Sequence, residues 1–196
     1  MTRFAAACSL ALFCAFAFAQ AARVRGVIEK LDGDMLTVRA REGSVLAITL
    51  APNATVTGVV PAALAEVAAG KFVGVTAMPR ADGNLMALEI HIFPESMRGR
   101  GEGHRPWDLK PESTMTNATV ADVVSGAKDR VLTLRYKEGE KKVFVPEAAP
   151  IVTYVAADRG ALHPGAHVFV VTERAADGSL SAPRVSVGLN GLVPPM

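Results

Sequence analysis

The chain has 196 residues, is half hydrophobic and carries 21 basic against 19 acidic residues, for a net charge of +2. Only 6% of its residues are aromatic, so it lacks the basic and aromatic-rich composition of nucleic-acid-binding proteins, and we expect no nucleic-acid partner. Both cysteines, Cys8 and Cys14, lie in an apolar N-terminal stretch. The rest of the chain therefore offers no disulfide, no thiolate metal ligand and no cysteine nucleophile.

Residues 1–21 are predicted to form a secretory signal peptide. Arg3 supplies a basic start, residues 4–19 are apolar except for one serine and carry no charge, and the alanines at residues 17–21 offer a small-x-small cleavage site. The apolar stretch is shorter than the about 20 residues that a membrane-spanning helix needs. We therefore expect a periplasmic or secreted protein with no transmembrane span after cleavage.

The remaining sequence contains one pattern twice. Residues 36–43 recur as residues 132–139 at a spacing of 96 positions, and residues 81–85 recur as residues 176–180. Matched order over such a distance indicates two copies of one small domain, each able to bury its own core.

Each copy is predicted to contain short strands and one short helix. Leu36 and Val38 alternate with Thr37 and Arg39, which is typical of a half-buried strand, and the same alternation places His91 on the solvent side of its strand. The first copy is predicted to contain strands at 24–29, 35–40, 45–50, 54–57, 72–78 and 85–93, with a helix at 62–67. The second copy is predicted to contain strands at 120–125, 131–136, 141–145, 151–154, 167–173 and 180–187, with a helical turn at 158–162.

With the short strands at 54–57 and 151–154 set aside, three strands, a helix and two strands follow one another in each copy, which is the order of the OB-fold, a small Greek-key barrel. The predicted fold is therefore mainly β, with two tandem OB-like five-stranded barrels, each with one short helix, joined by an ordered linker rich in Gly, Pro and Arg. The expected boundaries are a signal peptide at 1–21, a first barrel at 22–93, a linker at 94–114, a second barrel at 115–190 and a C-terminal tail at 191–196 that is either loose or docked on the second barrel.

The linker carries the only tryptophan of the chain, Trp107, with Arg100 and Arg105 close to it in sequence. A large aromatic side chain packs against its surroundings, so we expect Trp107 to dock on one or both barrels and hold them in a fixed relation. These three residues are the predicted ligand-binding or partner-binding residues.

A metal site is the alternative interpretation of the same linker. Glu102, His104 and Asp108 lie within seven positions, and carboxylate and imidazole are both metal ligands. His163 and His167 are four positions apart, but a Pro-Gly pair between them prevents a helix. These five residues are the candidate ligands of a divalent metal, which is the one cofactor that the sequence leaves open.

The segment GEGHRPWDL at residues 101–109, followed by STMTNATV at residues 113–120, resembles a family of uncharacterised exported bacterial proteins with duplicated small OB-like β-barrel domains of unknown function. Some members of that family are labelled as related to metal transport. The resemblance implies an exported bacterial protein in which the linker is the family's signature, and it supplies no assigned active site.

The sequence contains no serine-nucleophile elbow, no zinc-protease histidine pair and no phosphate-binding loop, so we expect no enzyme. OB-like barrels present a strand face and two loops as a contact surface. The leading hypothesis is a periplasmic, non-enzymatic binding or scaffold module that binds an envelope protein or a small ligand through its barrels and linker. The alternative is a periplasmic accessory protein that binds zinc or copper and is linked to metal transport.

Overall fold

The computed structural model describes residues 21–125 and 130–196, so the predicted signal peptide lies outside the described residues except for residue 21. The fold is mainly β, as predicted. Its strands are β1 (Ala21–Asp32), β2 (Met35–Ala40), β3 (Val45–Pro61), β4 (Phe72–Pro79), β5 (Leu85–Ile92), β6 (Gly103–Pro106), β7 (Thr114–Ser125), β8 (Arg130–Tyr136), β9 (Gly139–Val145), β10 (Ile151–Ala156), β11 (His167–Arg174) and β12 (Leu180–Gly188).

Five strands close into a first ring, called ring A. β1 pairs antiparallel with β2 and β11, β2 pairs antiparallel with β3, and β12 pairs antiparallel with β11 and parallel with β3. The interior is filled by aliphatic side chains from all five strands, among them Val24, Ile28, Leu36, Val38, Ile48, Leu50, Val168, Val170, Ala182 and Val185. The burial of this apolar surface holds the ring together.

Five other strands close into a second ring, called ring B. β7 pairs antiparallel with β4 and β8, β8 pairs antiparallel with β9, and β5 pairs antiparallel with β4 and parallel with β9. Its interior contains a separate set of buried aliphatic side chains, among them Val73, Val75, Leu85, Ile90, Ala118, Val120, Leu132, Leu134, Val143 and Val145.

The prediction that residues 22–93 and residues 115–190 each form their own barrel is wrong in its assignment of strands. Ring A combines β1, β2 and β3 of the first copy with β11 and β12 of the second, and ring B combines β7, β8 and β9 of the second copy with β4 and β5 of the first. The two copies carry the same strand pattern, so the last two strands of either copy fit the first three of the other. This is the exchange of equivalent elements seen in domain swapping, here within one chain.

The exchange crosses over at β3 and β10. β3 runs through 17 residues, and its last part pairs antiparallel with β10, from Val152 opposite Pro61 to Ala156 opposite Thr57. β10 also pairs parallel with β5, so the two rings belong to one continuous sheet. The rings are therefore joined by backbone hydrogen bonds and not by the linker alone.

The short helices predicted at 62–67 and 158–162 are replaced by three-residue 3-10 helices at Leu64–Glu66 and Arg159–Ala161. A single helical turn fixes several backbone torsions for one hydrogen bond, so a segment this short does not build an α-helix. Further 3-10 helices cover Glu95–Met97 and Leu189–Gly191. Among the described residues, no helix has the length and apolar character to cross a membrane.

The predicted linker at 94–114 contains a strand of its own, because β6 pairs antiparallel with β7 from Gly103 opposite Asn117 to Pro106 opposite Thr114. The C-terminal segment is also docked and not loose. Met196 is only 1% exposed and packs with Val59, Val152 and Phe169 in a small apolar cluster separate from the cores of the two rings.

Candidate functional site

A cleft of about 370 Å³ is lined by strands of ring A, by β7 of ring B, by β10 and by the linker. Ring A contributes side chains of β1, β11 and β12, while β7 contributes Asn117 and β10 contributes Tyr154. The linker contributes Met97, Arg100 and Arg105 among others. The walls of the cleft therefore come from both halves of the chain.

Four arginines line this cleft: Arg23, Arg100, Arg105 and Arg184. No acidic residue lines it, and Arg100, Arg105 and Arg184 make no ion pair with any residue that the structure describes. Burial and the nearby charge of Arg23 both lower the pKa of Arg105 from its ordinary value. Positive charges that remain uncompensated in a concave surface produce a potential that attracts anions.

Asp108 lies at the edge of this charged region and binds two arginines of β1. Its carboxylate is 2.7 Å from Arg25 Nη2 and 3.5 Å from Arg23 Nη1. Burial opposes ionisation of Asp108, but the hydrogen bond from Arg25 and the charges of both arginines lower its pKa overall. Asp108 therefore anchors the linker to ring A and compensates one of the two arginine charges that it contacts on β1.

Trp107 stands between two of the arginines. The Arg23 guanidinium lies 4.0 Å and the Arg105 guanidinium 5.5 Å from the centre of the indole ring. A tight loop fixes the indole, since the Trp107 backbone N–H donates to the Ser113 carbonyl at 2.7 Å and the Ser113 hydroxyl donates to the Lys110 carbonyl at 2.7 Å. The indole Nε1–H is buried and has no hydrogen-bond acceptor within the described chain.

Asn117 lines the cleft and has a second unpartnered polar atom. This side chain is 6% exposed, and its Nδ2 donates to the Arg100 carbonyl at 2.9 Å. That bond fixes the amide so that Oδ1 is the free acceptor, with no donor in the described ranges. Gly74 makes room for it, because a Cβ at Gly74 would lie 2.8 Å from Asn117 Oδ1 and 3.0 Å from the Phe93 ring.

One wall of the cleft is aromatic. The rings of Phe93 and Tyr154 stack with their centres 5.5 Å apart and their planes 16° apart. Phe169 lines the same cleft and has the Arg25 guanidinium 5.2 Å from its ring centre. The cleft thus combines flat apolar surfaces with cationic groups, a composition found in small-ligand sites.

A buried polar network lies behind Tyr154. His91 Nδ1 is 3.3 Å from the Tyr154 hydroxyl. On the other side of the ring, His91 Nε2 is 2.8 Å from Glu89 Oε2. Neither Nε2 nor Oε2 makes a well-directed hydrogen bond with any described residue. The Thr76 hydroxyl donates to Glu89 Oε1. Burial, and after it the nearby Glu89, raises the pKa of Tyr154, which therefore keeps its hydroxyl proton at neutral pH.

His91 was expected to be solvated, and this expectation is wrong. It is 3% exposed, because the outer face of β5 is covered by Tyr154 of β10 and by Phe93. Alternation along one strand predicts that His91 points out of ring B, but not that another strand covers it.

The three predicted ligand-binding residues, Arg100, Arg105 and Trp107, line the cleft together. Sequence reasoning missed the other charged and aromatic residues of the cleft and its one amide, namely Arg23, Phe93, Asn117, Tyr154, Phe169 and Arg184. Most of these lie on strands far apart in sequence. The available signal was the scarcity of aromatic residues, which makes each one outside the ring cores a candidate for a surface site.

The five predicted metal ligands are not brought together. Glu102 accepts a hydrogen bond from the Lys137 backbone N–H at 3.1 Å, and His104 Nδ1 is 2.8 Å from the Thr116 hydroxyl. Asp108 binds arginines, His163 is exposed, and His167 pairs with β1 in ring A. Among the described residues, no group of three or more His, Cys, Asp or Glu side chains is placed to hold a metal ion.

A family model described as a domain of unknown function, DUF5666, matches residues 25–91, which is about a third of the chain. The match runs from β1 to β5 and so covers the first copy of the repeat. These strands contribute to both rings, so the matched unit of sequence is not one ring of the structure. Neither a curated protein nor a solved structure matches the chain.

Proposed function

We propose that this protein is an exported, non-enzymatic binding module that takes a small anionic ligand in the cleft between its two rings. The observation that carries the proposal is the lining of the cleft, with four arginines and no acidic residue among the described positions. Three of those arginines lack an ion pair within the described chain, so an anion would supply the missing counter-charge.

A small ligand explains the cleft better than an envelope protein does. The cleft volume of about 370 Å³ falls in the range of about 300–1,000 Å³ that is usual for small-molecule pockets. A protein partner would need a broader contact area around the cleft.

We also propose that each ring is an OB-like barrel. Each has five strands, three from one copy followed by two from the other: β1, β2, β3, β11 and β12 in ring A, and β7, β8, β9, β4 and β5 in ring B. In this order the third strand of each ring pairs parallel with the fifth, as β3 does with β12 and β9 does with β5. OB-like barrels bind ligands on a strand face and the adjoining loops. The strand exchange would set such faces opposite each other, with the ligand between them.

The experiment uses the protein without its predicted signal peptide. It is titrated with acetate, inorganic phosphate and phenylacetate while NMR spectra are recorded. Trp107 is the only tryptophan, so its indole N–H gives a single signal from inside the cleft. We expect at least one anion to shift this signal saturably. Arg105→Ala should weaken that binding by about tenfold, the loss of one charged hydrogen bond.

Arg135→Ala is the matched control, because Arg135 is an exposed arginine of ring B that pairs with Glu140 away from the cleft. Equal affinity of the Arg105 and Arg135 variants, or no saturable shift with any of the anions, would refute the anion site. Native mass spectrometry of the protein recovered from the cell envelope would test export through the mass of the cleaved chain. It would also show whether a small anion or a protein partner accompanies it.

A further inference from the structure

We propose that the anion taken by the cleft carries an aromatic ring, and this inference rests on the proposed function of the cleft as an anion site. Residues 21–196 contain seven aromatic residues, and four of them line this one cleft: Phe93, Trp107, Tyr154 and Phe169. A site for an inorganic anion needs donors and charge but no such concentration of flat apolar surface.

The aromatic wall contains a stacked pair. Phe93 and Tyr154 lie almost parallel, with 16° between their planes, and Tyr154 also contacts His91. Ring–ring contacts favour offset stacks and edge-to-face pairs. A flat ligand ring that enters the cleft can pack against this wall through contacts of the same kind.

Two of the charged groups lie over an aromatic ring of the cleft. The Arg23 and Arg105 guanidinium groups lie 4.0 Å and 5.5 Å from the centre of the Trp107 indole, and Arg100 is close enough to Tyr154 for its charge to act on the phenol. A ligand ring against the aromatic wall therefore brings an attached carboxylate or phosphate within reach of a guanidinium. Guanidinium groups bind both of these anions bidentately, so the arginines accept either acid group.

The test uses 4-hydroxyphenylacetate as the probe, with its neutral amide, acetate and inorganic phosphate as comparisons, and follows the Trp107 indole signal. We expect 4-hydroxyphenylacetate to bind at least about tenfold tighter than acetate or phosphate, since stacking is lost with the ring. Phe93→Leu should weaken the binding of 4-hydroxyphenylacetate several-fold and leave the affinity for phosphate unchanged. Phe144→Leu is the control, because it removes a ring that lies under Arg80 outside the cleft. It should change the affinity for neither ligand.

The outcomes separate this inference from the proposed function. If acetate or phosphate binds as tightly as 4-hydroxyphenylacetate, the anion site stands and the aromatic preference is wrong. If the neutral amide binds as tightly as the acid, charge plays no part and the proposed function is wrong. If none of the probes shifts the indole signal, both are wrong.

Discussion

Asp108 shows how a single residue can fix the linker. It bonds to Arg25 and Arg23 on β1, and these arginines lower its pKa below the ordinary value of 3.8. A carboxylate whose pKa is lower in the folded than in the unfolded chain stabilises the fold fully above the unfolded value. That stabilisation is lost as the pH falls below 3.8 through the lowered folded value.

We therefore expect Asp108→Asn to reduce the free energy of unfolding at about pH 6.5 and to have a smaller effect at about pH 3. The Asp108 side chain is 44% exposed, so solvent screening limits the loss to about 1 kcal/mol or less. Urea denaturation at both pH values checks this, with Glu147→Gln on the exposed loop after β9 as the control. An equal loss at both pH values would show that the ion pair does not matter.

At the scale of the element, the position of the C-terminal segment depends on a close backbone contact with the end of β12. A Cβ added to Gly188 would lie 1.7 Å from the Leu192 carbonyl oxygen, a backbone atom that cannot turn aside. Further along, the Met196 carbonyl accepts a hydrogen bond from Arg25 Nε at 2.6 Å. Gly188 is thus the residue that permits the segment to fold back onto the cluster around Val152.

Gly188→Ala should displace this segment and lower the free energy of unfolding by about 1–3 kcal/mol, the usual cost of overpacking. Ser181→Ala, a small change on the same strand, should have little effect. Thermal denaturation measures the loss, and carboxypeptidase digestion measures the release of Met196. If digestion is equally slow in both variants, the segment is not held by this close approach.

The strands themselves could be predicted, because their signal is local. Leu36, Val38 and Ala40 of β2 are buried while Arg39 is exposed, as alternation requires. The short helices could not, since the composition of a single turn does not separate an α-helix from a 3-10 helix. Glu66, for example, stabilises its turn by accepting the Ala63 backbone N–H at 2.7 Å.

At the scale of the whole molecule, the duplication was visible and the exchange was not. Both copies present the same apolar faces, so β4 and β5 are compatible with either set of three strands. For the same reason, most residues of the cleft could not be predicted from the sequence. Arg100, Arg105 and Trp107 are close in sequence and were predicted as one group, whereas Arg23 and Arg184 reach the cleft only through the pairing of β1 and β12 with β11.

The exchange makes a prediction that tandem barrels would not. If a protease recognition site is placed in the linker around residues 98–102 and cut, each fragment still contributes strands to both rings. The β3–β12 and β4–β7 pairings then join the two fragments without a covalent bond. We expect the cut protein to elute from size-exclusion chromatography as one particle and to separate only in denaturant, because separation would open both cores to water. The uncut protein carrying the same site is the control, and elution of two half-sized fragments from native buffer would show that each copy folds on its own.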